Sequence, residues 1–222
     1  MKVPELINPL LAEETGWHIG DGTMNYYSNK NKLRGKYCLR GHIMDDVKHY
    51  NNRIKPIFKE LYGINVSLRY MHKTRVYGFE LWSDELVKFK NKIIGLPLGK
   101  KGEIKIPENL LENKELLVSA IRGIFDTDGC LYLERKRKIL YPRISITTTS
   151  KALAKQLKEQ INGLGIRATL YVEKKKPKNW SDLNVVEIRG KEEAAKWFNV
   201  INPQNPKFIN KYDYFLSKIN HF

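Results

Sequence analysis

Two aspartates, each followed by glycine, are the residues of this chain best suited to chemistry. They are Asp21 in Ile19-Gly20-Asp21-Gly22 and Asp128 in Asp126-Thr127-Asp128-Gly129. Positions 21 and 128 lie 107 residues apart, close to half of the 222-residue chain. A carboxylate is a hard oxygen ligand that suits Mg²⁺. Two carboxylates held close together repel, and a shared proton or a divalent cation relieves the repulsion. Paired acids that share metal over a basic surface are equipped for phosphodiester cleavage. A single Asp-Gly after a helix makes a turn and nothing more. Two, at matching places half a chain apart, point beyond turns.

The charge has the sign such a substrate needs. Forty Lys and Arg against 24 Asp and Glu leave +16, with a pI near 9.7. A field of that sign attracts polyanions, nucleic acid first among them. A solvated, Lys-rich surface is the plainer reading, and the distribution bears on it. Residues 1–110 hold 19 basic and 12 acidic side chains, and residues 111–222 hold 21 and 12. Two basic halves suggest a long bipartite surface, not a tethering tail. Hydrophobic residues at 41% and charged residues at 29% give the balance of a soluble globular protein. No apolar run approaches the ~20 residues of a membrane-spanning helix. The start, Met-Lys-Val-Pro-Glu, lacks the apolar stretch of a secretory signal. The expected location is the cytoplasm, or an organelle if the gene is organellar. Cys38 and Cys130 show no metal-ligand spacing and read as small core or surface residues.

The elements that must position the aspartates repeat. After each Asp-Gly comes a strand-like segment (23–28; 130–135), a second strand (36–43; 142–148) and an amphipathic helix (45–62; 150–164). Then Tyr62-Gly63-Ile64-Asn65-Val66-Ser67-Leu68 resembles Leu164-Gly165-Ile166-Arg167-Ala168-Thr169-Leu170, a glycine ending the helix and an alternating strand beginning. Another strand (77–82; 184–188) and another helix (84–94; 191–201) complete each half. The spacing predicts an α+β fold of two pseudo-symmetric αββαββα halves, with antiparallel sheets and helices on one face. The expected division is 1–95, a Pro- and Gly-containing linker 96–113, and 114–222.

Residues 5–20 and 114–127 read as the first helices of the two halves. Small residues recur every fourth position, Ala12, Gly16 and Gly20 in one, Ser119, Gly123 and Thr127 in the other. That spacing makes a stripe on one face. Glycine inside a helix costs roughly 1 kcal/mol relative to alanine, so its retention suggests close backbone approach. The two helices are expected to pack along Ala12, Gly16, Ser119 and Gly123 and to end level, with Asp21 beside Asp128.

Residues 14–22 (Glu-Thr-Gly-Trp-His-Ile-Gly-Asp-Gly) and 121–129 (Ile-Arg-Gly-Ile-Phe-Asp-Thr-Asp-Gly) resemble the two nonapeptides of the LAGLIDADG homing endonucleases. The first is degenerate, with Glu14 where an apolar residue is usual and Ile19 at the earlier acid. The order of elements follows the family over nearly the whole chain. The resemblance implies saddle-shaped sheets lying in the DNA major groove and the two motif helices at the domain interface. It also implies Mg²⁺ (or another divalent cation such as Mn²⁺) at Asp21 and Asp128, with Gly20 and Thr127 beside them as metal-binding positions. Both strands of a long asymmetric target would be cut, leaving short 3′ overhangs. Asp126 is expected to close its helix end. Lys101 (or Lys100) and Lys207 fit the family's basic residue near each catalytic acid. His42 and Thr148 stand where the family often has Gln.

Strand alternation supplies the expected DNA-reading residues. On the first strands they are Asn25, Tyr27 and Asn29, and Tyr132, Glu134 and Lys136. On the second strands they are Arg34, Lys36 and Arg40, matching Arg143, Ser145 and Thr147, with Tyr37, Leu39, Ile144 and Ile146 on the core side. On the third and fourth they are Arg69, Arg75 and Tyr77, matching Arg167, Thr169 and Tyr171. The run Lys174-Lys175-Lys176 suits phosphates. The expected partner is double-stranded DNA, bound by a monomer without a membrane. An intron RNA maturase and a non-cutting DNA-binding protein remain alternatives on the same scaffold; the retained pair of acids favours cleavage. A self-splicing intein is not expected, since residue 1 is Met and the sequence ends Asn220-His221-Phe222.

Overall fold

The computed structural model describes residues 1–29, 32–137, 139–174 and 181–219, and of Asn29 only the backbone. The chain divides into two compact units, Met1–Lys101 with Ile106–Thr127, and Gly102–Lys105 with Asp128–Phe222. This division differs from the one expected from the repeat because the helix before Asp128 packs with the first unit.

In the first unit, α1 (Pro9–Asp21) begins where Pro9 allows it. Proline lacks an N–H and its ring clashes with the carbonyl four residues back, so the first turn is where a regular α-helix accommodates it without disruption. The start expected at residue 5 therefore moves to residue 9. Asn8 caps this end, its Oδ1 accepting from the Leu11 N–H at 2.9 Å. Strand β1 (Gly22–Asn29) follows Asp21 directly and pairs antiparallel with β2 (Lys32–His42), Asn25 opposite Lys36 and Tyr27 opposite Arg34. A helical run follows as α2 (Val47–His49), a π-helical turn (Tyr50–Ile54) and α3 (Lys55–Tyr62). The wide turn lies just ahead of Pro56, which cannot donate to the backbone four residues back. Gly63, at φ 67°, ends the run in a left-handed conformation.

The strand expected from residue 64 does not form there. Strand β3 covers only Arg69–Met71, and residues 63–68 keep Val66 buried outside any ladder. Strand β4 (Val76–Trp82) completes a sheet of order β1-β2-β4-β3. Tyr37, Leu39, Phe58 and Phe79 fill the core beneath it, with Phe58 4.9 Å from Phe79 and 4.8 Å from Tyr62 between ring centroids. Helix α4 (Asp84–Phe89), capped by Ser83, runs into a π-helical turn (Lys90–Ile94).

Helix α5 (Lys114–Asp128) crosses α1 glycine on glycine. A Cβ on Gly16 would stand 2.2 Å from the Ala120 carbonyl oxygen, and one on Gly123 2.1 Å from that of Glu13. Ala12 and Ser119, the other stripe residues, are buried. Buried Glu13 adds an ionic clasp, its carboxylate accepting from Arg53 at 2.5 and 2.7 Å and from Arg122 of α5 at 3.2 Å. Because a backbone atom opposes the new methyl, Gly123→Ala should destabilise by about 1–3 kcal/mol. A midpoint of chemical unfolding unchanged from wild type would contradict that contact.

In the second unit, β5 (Gly129–Lys136), β6 (Ile139–Thr148), β7 (Ala168–Glu173) and β8 (Leu183–Arg189) form a sheet of order β5-β6-β8-β7. Helix α6 (Lys151–Gly163) is capped by Ser150, whose Oγ accepts from Leu153 N–H and donates to the Ile104 carbonyl at 2.8 Å. Helix α7 (Lys191–Val200) follows β8. Ile144, Ile146, Val186, Ile188 and Trp197 are core. Helix α8 (Pro206–Ile219) lies beyond the expected αββαββα order. It buries Phe208 and Phe215 and stacks Tyr212 on Phe198 at 3.8 Å. The two antiparallel four-stranded sheets with helices match the fold class expected from the sequence.

Candidate active site

Helix α1 delivers Asp21 as its last residue, half-buried. The buried Tyr50, in the π-helical turn, donates its hydroxyl to Asp21 Oδ2 at 3.1 Å. Its ring sits edge-on to Tyr77 at 6.0 Å. Gly41 on β2 leaves the space this needs, since a Cβ there would lie 3.0 Å from Asp21 Oδ2 and 2.8 Å from Asp46 Oδ2. Asp46 is itself anchored, accepting from the His42 N–H at 2.7 Å. The His42 ring turns to Asp45, 3.0 Å away. Sequence reasoning passed over Tyr50 because a tyrosine inside an amphipathic helix reads as core.

Lys101 lies at the same helix end. Gly99, left-handed at φ 72°, donates its N–H to the Met24 carbonyl at 2.8 Å and turns the chain back along β1. The Lys101 ammonium then donates to the carbonyls of His18 (3.3 Å), Ile19 (2.9 Å) and Gly20. A cation at a helix C-terminus contributes roughly 0.3–1 kcal/mol through the helix dipole. Lys101 is thus a cap on α1, and the Gly20 carbonyl is one of its acceptors.

On α5, Thr127 spends its hydroxyl inside its own helix, on the carbonyls of Gly123 and Ile124 at 2.9 and 3.0 Å. Asp126 is fully buried, whereas Asp128, the last residue of the helix, is exposed. In the second unit Lys207 opens α8, its N–H donating to Asn205 Oδ1 at 3.2 Å and its ammonium 4.8 Å from the Phe208 ring. Thr148 Oγ1 accepts from the Ser150 N–H at 3.1 Å.

Behind α1 lies a buried charge cluster. Glu14 accepts hydrogen bonds from Tyr37 (3.1 Å), Tyr62 (2.9 Å) and Lys90, all fully buried. Burial, then Glu14, pushes both tyrosine hydroxyls well above their ordinary range; burial lowers Lys90 against the pull of Glu14. His18 stacks on Tyr37 at 5.5 Å, and neither of its ring nitrogens is hydrogen-bonded among the described residues. Burial first, then the charges of Lys90 and Lys101, hold its imidazole well below the usual histidine range. The folded state therefore keeps His18 neutral while the unfolded chain takes up a proton near pH ~6.5. Stability is complete above that pH and falls as the pH drops through it, because the unfolded state binds more protons. Melting temperatures followed from pH 8 to 5 should decline, and His18→Leu should flatten part of the decline.

The polar faces of the sheets gather most of the residues expected to read DNA. Asn25 and Tyr27 lie opposite Lys36 and Arg34 in the β1–β2 ladder. Tyr132 lies opposite Arg143, beside Ser145, Thr147 and Glu134. Thr169 and Tyr171 are exposed on β7. Arg69 is exposed on β3, and Arg75 is exposed in a left-handed turn at φ 54° after it, outside the strands. Exposed Arg167 precedes β7, its N–H donating to Glu193 at 2.6 Å. Lys136 and Lys174 are exposed; Lys175, Lys176 and the Asn29 side chain lie outside the described residues. Tyr77 is a correction. It shares the core face of β4 with Phe79, is buried, and accepts at its hydroxyl from Asn51 at 2.9 Å. The turn at Arg75 shifts the alternation expected from the sequence by one. Constant spacing of 107 pairs Arg143 with Lys36, not with Arg34, and leaves Thr147 matched with Arg40.

Two sheets of this order, each preceded by a helix ending in aspartate, define the class. Residues 115–202 match the family model of the LAGLIDADG-like domain, and the chain has the fold of the LAGLIDADG homing endonucleases. A crystal structure of I-DmoI in complex with DNA and Mn superposes with a TM-score of 0.62 at 17% identity, covering 87% of this chain and 96% of that one. I-AabMI bound to uncleaved DNA superposes at 0.55 with 14% identity, covering 95% and 90%. Among curated proteins, the glutamine–fructose-6-phosphate aminotransferase (isomerizing) of Methanocaldococcus jannaschii is 26% identical over 193 residues, 86% of this chain and 16% of that protein. The ribonucleoside-diphosphate reductase NrdEB subunit alpha of Bacillus subtilis is 26% identical over 182 residues, 76% and 15%. The chain thus spans about a sixth of these two relatives, whose names describe unrelated reactions.

Proposed function

We propose that this chain is a site-specific endonuclease that cuts both strands of a long, asymmetric DNA target and needs a divalent cation, Mg²⁺ or one such as Mn²⁺. The observation that carries the reading is the crossing of α1 and α5 at Gly16 and Gly123, each five residues before its aspartate. Asp21 and Asp128 fit a hard cation by their donor chemistry, being carboxylates at helix ends, one half-buried and one exposed. A bound divalent cation would supply charge neutralisation at the scissile phosphate and an activated water.

The chain's own residues do the rest. Tyr50 orients the Asp21 carboxylate, Lys101 holds the end of α1 in place, and the sheet faces bind DNA through Arg, Lys, Tyr and Asn side chains. With both acids in one chain, a monomer suffices. Short 3′ overhangs, as expected from the family resemblance, belong to the same reading. Among the described residues no group of three or more His, Cys, Asp or Glu is assembled around a metal position. Phosphate oxygens of bound DNA are hard donors that such a cation accepts as well.

The test is to incubate the protein with a randomised duplex library in Mg²⁺ or EDTA and to sequence cut ends. Metal-dependent cuts at one long site support the reading. Sequence-selective binding without cuts at any metal concentration would reduce the protein to a DNA-binding one.

A further inference from the structure

Glu80 on β4 and Glu187 on β8 stand at matching places on the polar faces of the two sheets. Positions 80 and 187 are 107 residues apart, as 21 and 128 are. The ladders put Glu80 opposite Cys38 and Glu187 opposite Ser145, so the two acids hold the same place in the repeat. An acid at the centre of a surface that meets phosphates opposes binding. Its presence in both sheets needs a reason.

The neighbours supply one. Glu80 pairs with Arg40 and with Lys36 at 3.2 Å through Oε1, and with Arg69 at 2.7 Å through Oε2. Glu187 pairs with Arg189 through Oε2 and lies 3.7 Å from Arg143 through Oε1, the shorter ion pair of Arg143, at 2.5 Å, being with Glu134. Burial pushes the Glu80 carboxyl up, but Lys36, Arg40 and Arg69 outweigh it and hold the group below the ordinary carboxylate range. Loose arginines on such a face would seize the nearest phosphates, which carry no sequence information. An arginine fixed through one edge keeps other N–H groups to donate, and two of them match guanine O6 and N7.

We infer that Glu80 and Glu187 are positioning residues for sequence reading, each locking its arginines (Arg40 and Arg69, or Arg143 and Arg189) toward base edges and away from phosphates. This rests on the DNA-cutting reading above. The surroundings of the two acids differ. Lys36 lies 5.5 Å over Trp82, which is edge-on to Tyr27, whereas Arg143 also meets Glu134. The two half-sites are accordingly read differently.

The experiment selects bound sequences from a randomised duplex library in EDTA at physiological salt, for wild type, Glu80→Gln, Glu187→Gln and Glu80→Asp. Each Gln variant should bind non-specific duplex several-fold tighter. Each should also lose about tenfold discrimination at a few adjacent positions of one half-site, the value of one bidentate contact. Glu80→Asp keeps the charge but shortens the reach, so it should lose discrimination without gaining non-specific affinity. Variants that melt earlier yet keep wild-type base preferences would overturn the inference alone. Wild-type protein that selects no sequence would overturn the DNA-reading function, and this inference with it.

Discussion

Asp21→Asn and Asp128→Asn should each abolish double-strand cleavage, lowering its rate by about 10³-fold or more. The figure follows from chemistry, since a divalent cation stabilises several kcal/mol of transition-state charge and each ~1.36 kcal/mol is tenfold in rate. Asparagine keeps the shape and still accepts from the Tyr50 hydroxyl at the Asp21 position, so the helix end should hold. Target binding should be unchanged or tighter, because an anion near the phosphates has been removed. Tyr50→Phe isolates orientation from charge and should cost much less, about five- to tenfold, in line with one neutral hydrogen bond. The assay is cleavage of the selected target in Mg²⁺, with binding measured in EDTA on the same samples. Full cleavage by either Asn variant would show that its aspartate only ends a helix.

The helices' role was legible because it rests on sequence periodicity. Gly16 and Gly123 have no side chain to pack, so their retention in helices points to backbone contact, and α1 and α5 do cross at those residues. The sheets were legible by alternation wherever the strands are long. The segment 63–68 and Tyr77 were not, because β3 is short and the left-handed turn after it falls on Arg75, with no glycine or proline there to mark the break in period. Helix α8 was missed although Phe208 and Phe215 lie seven apart on one face. The repeat pattern in the sequence is complete at α7, and α8 has no counterpart in the first half of that pattern. Glu80 and Glu187 were hidden differently, since an acid on a basic face looks like a solvated charge until its ladder partner is known.

Glu14 shows what the degenerate first motif costs and how the fold accommodates it. The family resemblance expects an apolar side chain there, and this chain buries a carboxylate with Lys90, Tyr37 and Tyr62 around it. Such a pair loses hydration on both sides, so its net contribution to stability is small. Removing one partner is another matter. Lys90→Met should destabilise by about 3–5 kcal/mol, because it leaves a buried carboxylate without its counter-charge. Glu14→Leu alone should also be costly, stranding the Lys90 ammonium and two tyrosine hydroxyls. Glu14→Leu with Lys90→Met, Tyr37→Phe and Tyr62→Phe removes every polar group at once and should recover most of the loss. Replacing both sides of a buried polar contact is often near neutral where replacing one is not. Urea unfolding of wild type, the four single variants and the combined variant decides it, and non-additivity is the readout. If the combined variant is as unstable as the sum of its parts, the cluster is held by packing and not by mutual satisfaction of charge. If it recovers, the charged form of the motif is a matched exchange of residues on α1, β2, α3 and the π-helical turn after α4, and a change at position 14 is tolerated only when its partners change with it.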